Sequence, residues 1–259
     1  GKQPTAQKTV GVPNRIISMA PNITEIIYDL GLGGKLVGAT TYCTYPEAAK
    51  KVPRVGGFGQ YNFEALVSLK PDLVILHWKY EAEKERLQSL GIPYLETRTE
   101  YMADIIDSIQ KVGAACGAEE KSNQIVLDMN RRMASRQEPS KAPPRVLVTF
   151  GGTGGAMDPI YAFGADCLHN ELIELAGGKN VVENNLSFST LSTEAVIRLN
   201  PDIIIQLAPG EPSKRWNTLS RVNAVKHNRI YTLTGSYTCI PGPRFIRILD
   251  DFTEVIQHD

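Results

Sequence analysis

The chain has 259 residues and a mass of 28.5 kDa, enough for one large α/β domain or for two lobes of about 130 residues each. Apolar residues at 42% and charged residues at 22% match globular usage and exclude a mostly disordered or collagen-like chain. The 28 lysines and arginines balance 28 aspartates and glutamates, so no global positive field gathers nucleic acid, and no apolar run reaches the roughly 18 residues of a membrane span.

The sequence starts GKQPTAQKTVGVPN, polar and without an initiator Met or the apolar core of a signal peptide, and reads as a processed start. A β-rich run at 15–19 leads through Pro21 into an amphipathic stretch ending at Leu30, where Gly31 supplies a stop. Asn22 and Glu25 have the spacing of a capping box. Residues 64–69 predict a short helix closed before Pro71, and 73–76 a strand buried on both faces. Strand and helix patterns then alternate through 81–90, 92–95 and 103–115, which predicts parallel sheet. Between 118 and 144, Ile125, Val126, Met129 and Met133 recur at helical spacing before Pro139, Pro143 and Pro144. One helix about 30 Å long fits there, at about 1.5 Å per residue.

An internal repeat organises these elements. EALVSLKPDLVI at 64–75 and EAVIRLNPDIII at 194–205 agree at six of twelve positions, and the same offset of 130 aligns RIISM at 15–19 with RVLVT at 145–149. GGKLV at 33–37 resembles GGKNV at 177–181 at a slightly larger offset. The expectation is an α/β protein of two Rossmann-like lobes with parallel sheets joined by one long helix: lobes at 1–117 and 143–259, linking helix at 118–142. A single packed helix without an internal proline is a stiff joint, and large hinge closure is not expected.

Signatures of catalysis are missing: no GxSxG, HExxH or GxxxxGK[ST], and GLGGKLVG lacks the third glycine of a dinucleotide fingerprint. GGTGG at 151–155 reads as a turn more readily than as an anion cradle, because no helix start follows it. Cys43, Cys116, Cys167 and Cys239 contain no CxxC, and His77, His169, His227 and His258 share no ligand spacing, so no metal site is expected. Aromatic residues do gather near strand ends: Tyr42, Tyr45, Phe58, Tyr61, Trp78, Phe188 and Tyr237. Loops beyond the carboxyl ends of parallel strands line ligand crevices, where aromatic faces can stack on a large flat ligand or simply pack the loops. His77 fits either packing or contact with a ligand metal, and Arg244 either a surface ion pair or a ligand carboxylate or phosphate. Glu64 and Glu194 occupy equivalent first-turn positions in the repeat, where each can complement a helix dipole or present an acidic prong to a basic partner.

RIISMAPNITEIIYDLGLGGKLVGATTYCTYP, VGGFGQYNFEALVSLKPDLVI, ELIELAGGKNVV, LSTEAVIRLNPDIII and GPR at 242–244 together resemble the extracytoplasmic solute-binding proteins of bacterial ABC importers for cobalamin, haem and iron siderophores, of the helical-backbone (class III) type. The similarity runs from about Arg15 to Asp259. It implies a non-enzymatic, monomeric protein, periplasmic or lipid-anchored, that holds a small molecule in an inter-lobe cleft and docks on a permease dimer through Glu64 and Glu194. The TTYCTYPEAAKKVPRVGGFGQYNFEAL segment is most similar to cobalamin-binding members, whose cleft aromatics match Tyr42 or Tyr45, Phe58 and Phe188, with His77 and Trp78 where a tryptophan commonly follows PDLVI. Cys239 and Ile240 stand where members carry a charged pair before Pro-Arg, which keeps haem and ferric siderophores beside cobalamin. No cofactor is implied. A sensor domain using the same cleft, or an α/β enzyme acting on a metal-tetrapyrrole, are the non-transport alternatives.

Overall fold

Proline sets the first helix. In the computed structural model, which describes residues 11–57, 59–134, 142–151, 159–208 and 214–257, strand β1 (Ile16–Ser18) runs into helix α1 (Pro21–Asp29), with Pro21 at the first helical position. Its fixed φ suits that position, and this moves the start one residue ahead of the expected cap. Ala20 is therefore the N-cap, Asn22 lies inside the helix, and the capping box does not form. Glu25 is buried on the helix and the Asn22 amide nitrogen is buried without a partner. Gly31, at φ +77°, ends the element in the left-handed conformation that favours glycine.

The chain divides into two compact units, Gly1–Met129 with Pro241–Pro243, and Asn130–Ile240 with Arg244–Asp259. In the first unit β1 is followed by β2 (Leu36–Ala39), the short antiparallel pair β3 (Gly56–Gly57) and β4 (Gln60–Tyr61), and helix α2 (Phe63–Ser68). Strand β5 (Leu73–His77), helix α3 (Glu81–Ser89), strand β6 (Tyr94–Thr97) and helix α4 (Met102–Cys116) complete it. The strands make one sheet in the order β2-β1-β5-β6, every pairing parallel. Ile17, Val74 and Leu76 bury one face together with Leu66 of α2 and Leu87 of α3. Strand alternation turns Ile16, Leu73 and Ile75 to the opposite face, and all three are buried. Apolar side chains on both faces explain why residues 73–76 read as an unbroken apolar run.

Helix α5 (Glu119–Ala134) contains the division between the units at Met129 and Asn130. Of the expected linking helix at 118–142, residues 135–141 lie outside the described residues, and Ala118 and Ala142 are not helical. The second unit comprises β7 (Arg145–Phe150), β8 (Ile160–Phe163), α6 (Leu168–Leu175), β9 (Lys179–Asn180), β10 (Phe188–Leu191) and α7 (Thr193–Leu199). It continues with β11 (Ile203–Leu207), α8 (Asn223–Lys226), β12 (Ile230–Leu233) and α9 (Arg247–Gln257). Its sheet runs β10-β8-β7-β11-β12, with β9 also on β7. Strands β9, β7, β11 and β12 pair in parallel as the sequence pattern predicts, whereas β8 and β10 add antiparallel ladders at one edge. That edge carries Tyr161 and Phe188 exposed, so the continuous apolar pattern of a parallel strand is absent from it.

The repeat is physical as well as textual. The Arg15 guanidinium donates to the Leu69 carbonyl at the end of α2 (2.6 Å), and Arg145 donates to the Leu199 carbonyl at the end of α7 (2.7 Å). Asp72 accepts from the Arg15 backbone N–H at 2.9 Å, and Asp202 from that of Arg145 at 3.0 Å. Each Arg and Asp of the motif thus fastens a helix end and a strand start whose backbone groups would otherwise lack partners.

Candidate functional site

In the first unit, β5 and β6 lie side by side with His77 level with Thr97, so the residues after them emerge together at the carboxyl edge of the sheet. Trp78 is fixed there on two sides. Its indole N–H donates to Glu100 Oε1 (2.8 Å), and the Arg98 guanidinium lies 4.5 Å from the ring centroid. Lys79 places Nζ 3.1 Å from the same carboxylate oxygen and 5.4 Å from the ring. Burial pushes the Glu100 carboxyl up, but hydrogen bonds from Trp78, Lys79 and the Thr99 backbone outweigh it and hold the group at about 2. Glu100 is accordingly an anion at any physiological pH.

His77 is half-buried beside them, its Nε2 3.4 Å from Thr99 Oγ1 and 4.0 Å from Glu100. Burial pulls its pKa down, with Glu100 acting in the opposite sense, so the ring is neutral near pH 7. Its ring centroid lies 5.9 Å from that of Tyr80, which in turn lies 5.8 Å from Tyr61. The Tyr61 hydroxyl donates to the Met19 carbonyl (3.3 Å), and burial, then Tyr80, push its phenol well above the usual range. Tyr42, 62% exposed, and Tyr45, also exposed, sit in the loop after β2 and in the same unit.

The second unit builds its aromatic surface from three strands. Register places Phe150 opposite Tyr161 and Phe188 opposite Phe163. The Phe150 ring then stands 5.6 Å from Tyr161 and 5.2 Å from both Phe163 and Phe188. Phe188 remains 54% exposed. Behind this group His169 is buried, its ring 3.8 Å from Phe163 and 5.1 Å from Phe245. Its Nε2 lies 3.0 Å from the Thr238 carbonyl, which can only accept, so Nε2 carries the proton. Burial drags this imidazole to about 4 and keeps it neutral.

Tyr237 and Arg244 lie in the same unit. The Tyr237 hydroxyl donates to Asp251 Oδ2 (2.7 Å). Burial, then this acceptor, raise the phenol to about 12, and burial raises the Asp251 carboxyl. Arg244 is buried, and its guanidinium nitrogens reach Ser236 Oγ at 3.3 and 3.4 Å.

The fold thus brings Glu100 to both His77 and Trp78, and sets Phe150 and Phe163 beside Phe188. Arg98 and Glu100 are absent from the expected site residues, although the segment Thr97-Arg98-Thr99-Glu100 carries the strand-end signal in charged residues. Phe150, Tyr161 and Phe163 were missed because their meeting depends on an antiparallel edge. Phe58, residues 152–155 of GGTGG and His258 lie outside the described residues. Among the described residues no group of three or more His, Cys, Asp or Glu side chains is disposed to hold a metal ion, and no helix is long and apolar enough to cross a membrane.

Glu64 and Glu194 are both exposed. Asn62 Oδ1 accepts from the Ala65 N–H (2.9 Å) and caps α2, while Ser192 Oγ accepts from the Ala195 N–H (3.2 Å) and caps α7.

Two α/β units share one repeated motif; the first carries aromatic and polar residues beyond the carboxyl ends of its strands, and the second an aromatic cluster on its edge strands. Residues 16–237 match the periplasmic binding protein family, and the chain belongs to that family. It is 33% identical over 255 residues to the uncharacterized ABC transporter substrate-binding lipoprotein YvrC of Bacillus subtilis, covering 95% of this chain and 81% of the relative. A crystal structure of a possible iron-binding periplasmic solute-binding protein from Staphylococcus epidermidis superimposes with a TM-score of 0.79 at 27% identity, over 96% of this chain and all 100% of the other. The periplasmic vitamin B12 binding protein BtuF of Vibrio cholerae gives a TM-score of 0.77 at 25% identity, over 95% and 97% of the two chains. The protein is therefore a substrate-binding protein of the ABC-transporter class rather than an enzyme.

Proposed function

We propose that the protein captures a corrinoid of the cobalamin type outside the cytoplasm and hands it to an importer permease. The observation that carries this reading is the solvent-reaching aromatic surface on each unit: Tyr42 and Tyr45 in the loop after β2 with half-buried Trp78 after β5 on the first, and Phe188 at the start of edge strand β10 on the second. A corrinoid brings its cobalt already chelated, so a binding protein needs to supply aromatic area and hydrogen bonds to the amide rim rather than a metal-ligand set. Tyr237, Arg244 and His77 are the polar candidates, with Phe58 as a further aromatic one. The likeness to a vitamin B12 binding protein supports the same cargo. The protein acts as a monomer, periplasmic or lipid-anchored, and presents Glu64 and Glu194 to the permease dimer.

Visible-absorption titration tests it. Cyanocobalamin is expected to bind one to one with sub-micromolar affinity, about 8 kcal/mol or more. No binding of cyanocobalamin together with tight binding of haemin or a ferric siderophore would transfer the assignment to those cargoes. A specific feature favours that second reading: Arg98 and Lys79 beside Trp78 suit an anionic substituent, such as a haem propionate or a siderophore carboxylate.

A further inference from the structure

Trp78 and Arg98 are the first residues beyond two adjacent strand ends. Strand β5 stops at His77 and β6 at Thr97, which pair in register, and the Trp78 N–H donates to the Thr97 carbonyl at 3.0 Å. Past that point the ladder supplies no partners, and a backbone group there can bond to water instead. Both residues nevertheless have their backbone held by a buried side chain of the helix that follows. Lys84 of α3 donates from Nζ to the Trp78 carbonyl at 2.8 Å. Ser108 of α4 accepts from the Arg98 N–H at 2.9 Å and donates to the Arg98 carbonyl at 3.0 Å. Lys84 is 5% exposed and Ser108 1%.

Packing alone does not call for a polar residue at either place. On α3 the buried residues are Lys84 and Leu87, and on α4 Ser108 lies among buried Met102, Ile105, Ile109 and Val112. An apolar side chain would fill either position without the cost of desolvating an ammonium or a hydroxyl. Lys84 offsets that cost with three acceptors for its three N–H groups: the Trp78 carbonyl, Glu81 at 2.8 Å and Glu96 at 3.5 Å. Beyond the strand ends the two clamped residues bring their side chains together, the Arg98 guanidinium 4.5 Å from the Trp78 ring centroid.

We infer that Lys84 and Ser108 are positioning residues, which hold Trp78 and Arg98 as one preformed element for the ligand. Neither needs to touch it. An indole whose backbone can shift has to be ordered when ligand arrives, and that ordering subtracts from affinity. Glu100 fixes the indole N–H, whereas Lys84 and Ser108 fix the main chain from which the ring and the guanidinium project. This inference rests on the ligand role proposed above for Trp78 and adds one buried residue for each strand end.

The test labels the full chain with 5-fluorotryptophan, which gives one fluorine resonance from Trp78 and one from Trp216. Trp216, buried in the second unit, is the internal control for folding. Lys84→Met and Ser108→Ala are each expected to shift or broaden the Trp78 resonance and to leave that of Trp216 in place. Lys84→Arg, which keeps a cation and its donors, should restore the native signal. In titrations with cyanocobalamin and with haemin, the Met and Ala variants should bind the native protein's probe about three- to tenfold more weakly, the range set by ordering one side chain on binding. A Trp78 resonance that stays native in both variants overturns the inference, as does native affinity for the bound probe. Equal displacement of both resonances, or a Lys84→Arg variant that behaves as Lys84→Met does, marks a purely structural role and overturns it too. If the native protein binds neither probe, the cargo reading falls by itself, and the resonances alone decide the positioning.

Discussion

Glu64 and Glu194 occupy the same place in two copies of one helix: each is the second residue after its N-cap, Asn62 or Ser192, and each is exposed. For Glu194, its own backbone N–H and then the Ser192 hydroxyl hold the carboxyl below its usual range. Both carboxylates stand in the first turn of their helices, where they complement the helix dipole. Reversal of both, Glu64→Arg with Glu194→Arg, is expected to abolish permease association and uptake in reconstituted membranes while leaving cobalamin affinity of the isolated protein intact. Uptake at the native rate, accompanied only by a small fall in melting temperature, would reduce them to helix-dipole partners.

Phe188→Ala removes an exposed ring whose neighbours Phe150 and Phe163 remain packed behind it. Ligand binding should weaken by about 1 to 3 kcal/mol, the usual range for an aromatic anchor. The loss of stability should be the smaller effect, because much of the ring already meets solvent. Calorimetry and thermal melts on the one variant separate these quantities, and normal binding with a large drop in melting temperature would make Phe188 a packing residue.

Trp78 should lose its fixed orientation when Glu100 is replaced. The chain has two tryptophans, and Trp216 is buried with its indole N–H donated to Gln206 at 3.2 Å, so acrylamide quenching reports chiefly on Trp78. Glu100→Ala removes the indole acceptor and is expected to increase quenching and weaken ligand binding. Glu100→Gln keeps an acceptor oxygen and should recover most of both. Identical quenching in the alanine variant would show that Arg98 alone positions the ring.

His169 links pH to stability. Its folded pKa of about 4 lies below the ordinary 6.5, so between those values the unfolded chain binds the proton more readily. The stabilisation is complete above about pH 6.5 and declines as pH falls toward 4, by at most about 3 kcal/mol. Urea midpoints measured across that window should fall with pH in the native protein. His169→Gln, which retains an N–H donor for Thr238, should flatten the decline; an unchanged slope would place the titrating group elsewhere.

The strand and helix alternation, the repeat and the family likeness are properties of neighbouring residues, and they were legible for that reason. Residues 73–76 had to be a buried strand because no solvent-facing residue interrupts them, and Glu64 and Glu194 were found because the repeat is written in the chain. Proline chemistry is local too: Pro21 takes the first helical position and displaces the expected Asn22 cap. Tertiary structure alone decided what meets across distance. Glu100 reaches Trp78 from 22 residues away because β5 and β6 are adjacent in parallel register. Phe150, Tyr161, Phe163 and Phe188 converge because β8 and β10 turn antiparallel onto β7. His169 became a buried neutral donor because α6 packs it between Phe163 and Phe245. Periodicity specifies which face of an element is apolar, but strand order and register specify its neighbours, and these depend on packing free energy summed over the whole unit.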